Sequence, residues 1–170
     1  MKDDEALRLV QAALGALGEV SAADRNRLRV RTTAEKLPDA AARLKAAGFD
    51  YMQTIIGTDY PATGELELCY VVGSVKEGMR NNVAMVFLRL PKERPVVGTL
   101  KDVWPAALLF EREEWEMLGI RFEGNPDLKP LYLPEDWNEI PPLLKDYRLK
   151  RWVEDERRSH GLVVEHVEHE

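Results

Sequence analysis

Five prolines fall between residues 123 and 146, at Pro126, Pro130, Pro134, Pro141 and Pro142. Each removes a backbone N–H and fixes its own φ, so neither a helix nor a central strand can run through the stretch. Regular structure must be complete before it. The chain is therefore read as an α+β core domain, residues 1–122, followed by an extended docking arm and charged C-terminal tail, residues 123–170. The prolines deny the arm a hydrogen-bond ladder of its own, and its apolar residues Leu128, Leu131, Leu133 and Trp137 need a surface to cover them.

Within the core, residues 4–17 place Leu7, Val10, Leu14 and Leu17 at helical spacing, with acids in the first turn and Gly18 as the expected stop. RLRVRT, residues 27–32, alternates polar and apolar as a half-buried strand does. A second helix is expected from Pro38 to Gly48. Three segments rich in aromatic and β-branched residues then follow, FDYMQTIIGTD, ELELCYVVGSV and NNVAMVFLRL, divided by turn signals. They predict a meander. Pro105 is expected to break one short helix and open a longer one that ends near Gly119. The order predicts helices packed on one face of a mainly antiparallel sheet, with a Pro-rich extended C-terminal arm.

Composition excludes several function classes. A formal charge of −6 over 170 residues argues against a sequence-independent nucleic-acid binder, which needs a basic face to displace counterions. No apolar run approaches the roughly 18 residues that a membrane span requires, and acids stand where a signal peptide would be basic. A lone Cys69 excludes an internal disulfide and a wholly cysteine-ligated cluster within one chain, and its setting predicts a buried strand residue. No phosphate-binding glycine motif occurs. The histidines, His160, His166 and His169, all lie in the tail, where a solvated end is the ordinary explanation and a weak metal chelate of His166 and His169 with Glu165 or Glu170 the other.

The longer helix carries EREEWE, in which Glu111 neighbours Glu114 and Arg112 neighbours Glu116. Crowded carboxylates raise one another's pKa, so a general acid and base pair is conceivable. The expected arrangement is a solvated acidic face partly neutralised by Arg112, with Phe110, Trp115 and Leu118 turned inward.

ERE, WEMLGIRFEGNPDLK, LYLPEDW and PPLLKDY, with GFDYMQTIIGTDYPATGELELCYVVGS and LKDVWPAALLFERE upstream, resemble the family of the thirty-kilodalton subunit of complex I, the respiratory NADH:quinone oxidoreductase. That family includes the equivalent subunits of membrane-bound [NiFe] hydrogenases and related energy-converting complexes. The resemblance implies a non-catalytic assembly subunit of the hydrophilic arm of an ion-translocating membrane oxidoreductase. It implies no cofactor, metal or catalytic residue in this chain, and iron–sulfur clusters and a NiFe or quinone site in partner subunits. The implied partners are the large, hydrogenase-like catalytic subunit and an iron–sulfur subunit, with membrane contact only through partners at the cytoplasmic face and no nucleic acid. The signature residues carried over as docking positions are Glu111, Arg112, Glu113, Trp115, Gly119, Gly124, Asn125, Pro126, Asp127, Lys129, Pro134, Asp136, Trp137, Lys145 and Asp146. Asn125 stands where quinone-reducing members usually have histidine, Lys129 and Pro130 replace a usual arginine pair, and Leu144 replaces another arginine, so a hydrogenase-type or other archaeal-like sibling complex is expected on at least equal terms with a quinone-reducing one. The competing readings are a free-standing carboxylate hydrolase using Glu111 and Glu114, and a general adaptor domain.

Overall fold

The computed structural model describes residues 3–147. The tail beyond them, including the three histidines, lies outside the described residues. Helix α1 spans Asp3–Leu14 and buries Ala6, Val10 and Leu14, one residue per turn on a single side. It ends ahead of the expected stop at Gly18: Gly15 takes φ +53°, a left-handed conformation open to glycine, and one 3₁₀ turn, Gly15–Leu17, follows. Strands β1 (Glu19–Asp24) and β2 (Arg27–Arg31) form a hairpin around Asn26, itself at φ +60°. Helix α2 is Leu37–Ala46, started at Pro38 as the sequence predicts.

The meander is present as β3 (Tyr51–Tyr60), β4 (Glu65–Gly73) and β5 (Val83–Pro91), antiparallel throughout. The hairpin joins it by a parallel pairing of β2 with β5, giving the sheet order β1-β2-β5-β4-β3. A short parallel pair, β6 (Val96–Gly98) with β7 (Arg121–Glu123), brackets helix α3, Ala107–Leu118. The expected short helix before Pro105 is a turn, in which Trp104 N–H donates to the Leu100 carbonyl at 2.8 Å and the indole N–H donates to the Phe49 carbonyl at 3.0 Å.

Burial shows the layering. Leu66, Leu68, Tyr70 and Val72 of β4, and Ala84, Val86, Leu88 and Leu90 of β5, are buried with Leu28 and Val30 of β2. These alternate residues point to the helices, whereas the intervening ones are half-buried or exposed, with Cys69 the buried exception. Burial pushes the Cys69 thiol up to about 12, with Glu67 adding to the effect, as suits an inert packing residue. The α+β class and the one-sided helical layer match the sequence reading.

Helix α3 comes unusually close to β3, and Gly57 is the reason. A Cβ added there would lie 2.2 Å from both a Glu114 oxygen and a Leu118 methyl. A glycine inside a strand marks such a close backbone approach. Gly57→Ala should therefore push α3 off the sheet and destabilise the chain by about 1–3 kcal/mol. Chemical denaturation of the two proteins measures this, and an unchanged midpoint would contradict the tight contact.

Candidate functional site

Helix α3 is a rod of buried charge. Ala107, Glu111, Glu114 and Leu118 recur at helical spacing and all are buried, so the stripe facing the domain contains two carboxylates. This corrects the expected solvated acidic face. Leu118 is inward as expected, but Phe110 and Trp115 are only half-buried because the carboxylates take the inner positions. Amphipathicity treats glutamate as outward; here each buried glutamate finds a backbone N–H to hold.

Glu111, with 0 % exposure, accepts from Thr99 Oγ1 at 2.6 Å, from the Leu100 amide at 2.7 Å and from Asn125 Nδ2 at 2.9 Å. Burial raises its pKa, and those three donors oppose the rise. Glu114 accepts from the Gly57 amide at 3.0 Å through one oxygen, while the other has no partner among the described residues. Burial, with Glu113 nearby as a like charge, pushes Glu114 up to about 7. The fully buried Tyr70 hydroxyl also lacks a partner among the described residues, and burial together with Glu111 and Glu114 raises its pKa well above the usual value.

Glu116 faces the other way and holds the arm. Its two oxygens accept from the amides of Leu131, Tyr132 and Leu133 at 2.8, 2.9 and 2.9 Å. Burial alone would raise its pKa, but the three amides and the nearby Arg112 outweigh it and hold the carboxyl below the usual range. Arg112 binds the arm's carbonyls, donating to Lys129 O at 2.6 Å and to Pro130 O, and reaches Asp127 at 3.5 Å. Further along, the Leu143 amide donates to Met117 O at 3.0 Å. Asp59 of β3 then accepts from the Lys145 amide at 2.7 Å and from Lys92 Nζ at 2.8 Å, and Lys92 reaches Asp146 at 2.6 Å. Burial pushes the Asp59 pKa up, yet the Lys92 and Lys145 hydrogen bonds bring it below its ordinary value.

Most of the signature residues thus meet along one line. Gly119 caps α3 at φ +76°. Gly124 turns the chain at φ +88°, and Asn125 Oδ1 accepts from the Asp127 amide at 2.9 Å while Lys129 pairs with Asp127 at 2.7 Å. Trp137 lies 5.8 Å from the Tyr147 ring and, with Trp115, Pro130 and Pro141, lines a groove of about 270 Å³. Pro126, Pro134 and Asp136 are exposed, and Glu113 is half-buried. Leu128, Leu131, Leu133 and Trp137, expected to seek a partner's surface, are half-buried against their own domain. The Glu116 bonds set this alternation, leaving Tyr132 between two leucines at 63 % exposure. Sequence reasoning missed Gly57, Asp59, Lys92, Glu114 and Glu116 as arm and helix holders. A glycine and an aspartate inside a strand rich in aromatic and β-branched residues were the available signals.

Among the described residues, no group of three or more histidine, cysteine, aspartate or glutamate side chains is arranged to hold a metal ion, and no helix is long and apolar enough to cross a membrane. The geometry suits mechanical work on backbone: one helix fixes Thr99 and Leu100 before it, Gly57 beside it and the arm after it.

Residues 30–153 match the family described as respiratory-chain NADH dehydrogenase, 30 Kd subunit. The chain is similar to a subunit of the F(420)H(2) dehydrogenase of Methanosarcina mazei, 36 % identical over 71 % of this chain and 75 % of that one. It is 35 % identical to NADH-quinone oxidoreductase subunit 5 of Thermus thermophilus over 68 % of this chain, a match that spans 58 % of the Thermus protein. In structure it resembles a chain of the membrane-bound sulfane sulfur reductase, an archaeal respiratory membrane complex, with a TM-score of 0.79 at 26 % identity over 98 % of this chain and 95 % of that one. A trypsin-resistant fragment of Nqo5 superposes with a TM-score of 0.61 at 27 % identity, covering 71 % of this chain and 97 % of the fragment.

Two expectations follow from the carboxylates. Glu116→Ala removes the acceptor of three amides and should cost about 1–3 kcal/mol. Hydrogen exchange should then quicken at Leu131, Tyr132 and Leu133 while the β4 amides stay protected; unchanged exchange at the three would contradict the Glu116 clamp. Glu114 has the opposite pH signature to Glu116. Its folded pKa of about 7 exceeds the ordinary glutamate value of 4.5, so its contribution is full below pH 4.5 and is lost as pH rises through 7. Glu114→Gln should abolish that decline, worth roughly 1–3 kcal/mol, in urea titrations between pH 4.5 and 8. A wild-type stability that does not fall over this window would contradict the assignment.

Proposed function

The chain belongs to the respiratory-chain NADH dehydrogenase 30 kDa subunit family, and from that premise we propose that it is a non-catalytic assembly subunit of a complex I-like membrane oxidoreductase. Its partners in this reading are the large, hydrogenase-like catalytic subunit and an iron–sulfur subunit, which carry the clusters and the NiFe or quinone site. The chain docks peripherally at the cytoplasmic side and meets the membrane through those partners.

One observation carries the reading. The arm's backbone is already tied to its own domain by Glu116, Arg112 and Asp59, yet Tyr132, Ile140 and Leu143 face outward at 63, 45 and 56 % exposure. An arm fixed in this way loses little conformational entropy on binding, so its apolar residues form a preorganised surface. The docking role expected of the whole segment then falls to these outward residues, while the leucines between them secure the arm. Against the hydrolase reading stands the position of Glu111, which is fully buried with both oxygens occupied. Asn125 has both ends of its amide bound inside the chain, to Glu111 and to Asp127. Its departure from the histidine of quinone-reducing relatives is accommodated internally, which keeps a hydrogenase-type or other archaeal-like sibling complex on at least equal terms with a quinone-reducing one.

The double variant Tyr132→Ala, Leu143→Ala tests the proposal. Both side chains are exposed, so the isolated variant should unfold at nearly the parent temperature. It should no longer co-purify with the other subunits when expressed in place of the parent chain. Undiminished co-purification would overturn the assignment of the docking surface to the arm.

A further inference from the structure

The sheet has one face under helices and one face uncovered by any helix among the described residues. On the uncovered face the register aligns cross-strand rows: Arg31 of β2 stands beside Phe87 of β5, then Cys69 of β4, then Ile56 of β3. The next row begins at Arg29 and continues through Met85 and Val71. Each row passes from an arginine on β2, one strand in from the β1 edge, to apolar side chains on the strands beyond it. Ile56 is 49 % exposed, and Phe87, Met85 and Val71 are half-buried.

The charges on this face are unevenly matched. Arg89 is neutralised by Glu65 at 2.8 Å and Glu67 at 3.1 Å, and it stacks 4.3 Å from the Tyr60 ring centroid. Among the described residues Arg27, Arg29 and Arg31 form no ion pair, although Asp24 and Glu19 stand opposite Arg27 and Arg31 in the β1 register. Opposite Arg29 is Ser21, so β1 supplies it no countercharge. Its guanidinium instead lies 5.6 Å from the Phe87 ring centroid. A chain of net charge −6 thus carries a row of arginines on β2 beside an apolar strip. A row of arginines alone would be an ordinary solvated strand; its continuity with half-exposed apolar residues is what marks a docking surface.

We propose that this uncovered sheet face is a second docking surface, occupied by a neighbouring protein subunit that presents an apolar patch to Ile56, Val71 and Phe87 and carboxylates to Arg29 and Arg31. The inference rests on the reading of the chain as one subunit among several, and it concerns a surface separate from the arm. Charge complementarity selects an acidic-rimmed protein. A nucleic-acid backbone would satisfy the arginines and leave the apolar strip without a counterpart.

Photocrosslinking in the assembled complex tests this. A benzoylphenylalanine replaces Ile56 in one variant and Tyr132 in another, the second reporting on the arm. Irradiation of the Ile56 probe should join the chain to another subunit. Adding Arg29→Glu with Arg31→Glu should abolish that adduct and leave the Tyr132 adduct in place, and Arg29→Gln with Arg31→Gln should weaken it in the same direction. An unaltered thermal unfolding curve for each variant chain shows that its fold is retained. The proposal is overturned if the Ile56 probe yields no protein adduct, if it labels only this chain's own residues 148–170 or nucleic acid, or if its adduct is indifferent to the arginine changes. Failure of the arm reading looks different, since it removes the Tyr132 adduct.

Discussion

A carboxylate accepting backbone amides that have no strand to pair with is the interaction on which this structure turns. Glu116 takes three consecutive amides of the arm, a task that a neighbouring strand would otherwise perform. Proline-rich chain cannot build a ladder, but its few remaining N–H groups still need acceptors. One charged side chain on a helix meets that need at a single point, and charge-assisted bonds are stronger than neutral ones. Without Glu116 and Arg112, the middle of the arm would lose its polar attachment to the helix, leaving the packing of Leu128 and Leu144 and the later bonds of Leu143 and Lys145 to hold it.

The same helix treats its carboxylates unequally. Glu111 has three donors and Glu116 three amides, whereas Glu114 has one amide and an oxygen with no partner. The number of donors, set against burial, sorts their acidities: Glu116 falls below the ordinary value and Glu114 rises to about 7. Evenly partnered carboxylates would hold all their attachments equally at neutral pH. This helix holds the arm firmly and its own seat on β3 less so.

The sequence revealed elements better than attachments. The meander was plain because Leu66, Leu68, Tyr70 and Val72 alternate with outward residues, and its antiparallel order needs only short turns. Strand β1 gave no such signal, since nearly every residue in it is exposed and its pairing is legible only through Asn26 at the turn. Strands β6 and β7 are three residues each and pair in parallel across the whole of α3, a relation that local pattern cannot express. Helix α3 itself was expected at the right place. Its inward face was not, because glutamate at a core position is rare enough that periodicity assigns it to solvent. The family resemblance marked Glu111, Arg112 and Asn125 as a group; only coordinates show that they grip loop and arm backbone.

The parallel pairing of β2 with β5 has a consequence for how the chain is made. Leu28 lies beside Ala84, so the centre of the sheet stays open until the far side of the meander has been synthesised. Closing so long a loop is entropically costly, whereas β3, β4 and β5 meet through short turns. The meander should consequently assemble first and act as a template for the earlier β1–β2 hairpin. Helix α3 then arrives on a strand already in place, and the arm, which leaves the ribosome after it, finds its carboxylate already positioned. Emergence from N- to C-terminus and assembly from the middle outward run in different orders here, and β2 is the strand that waits.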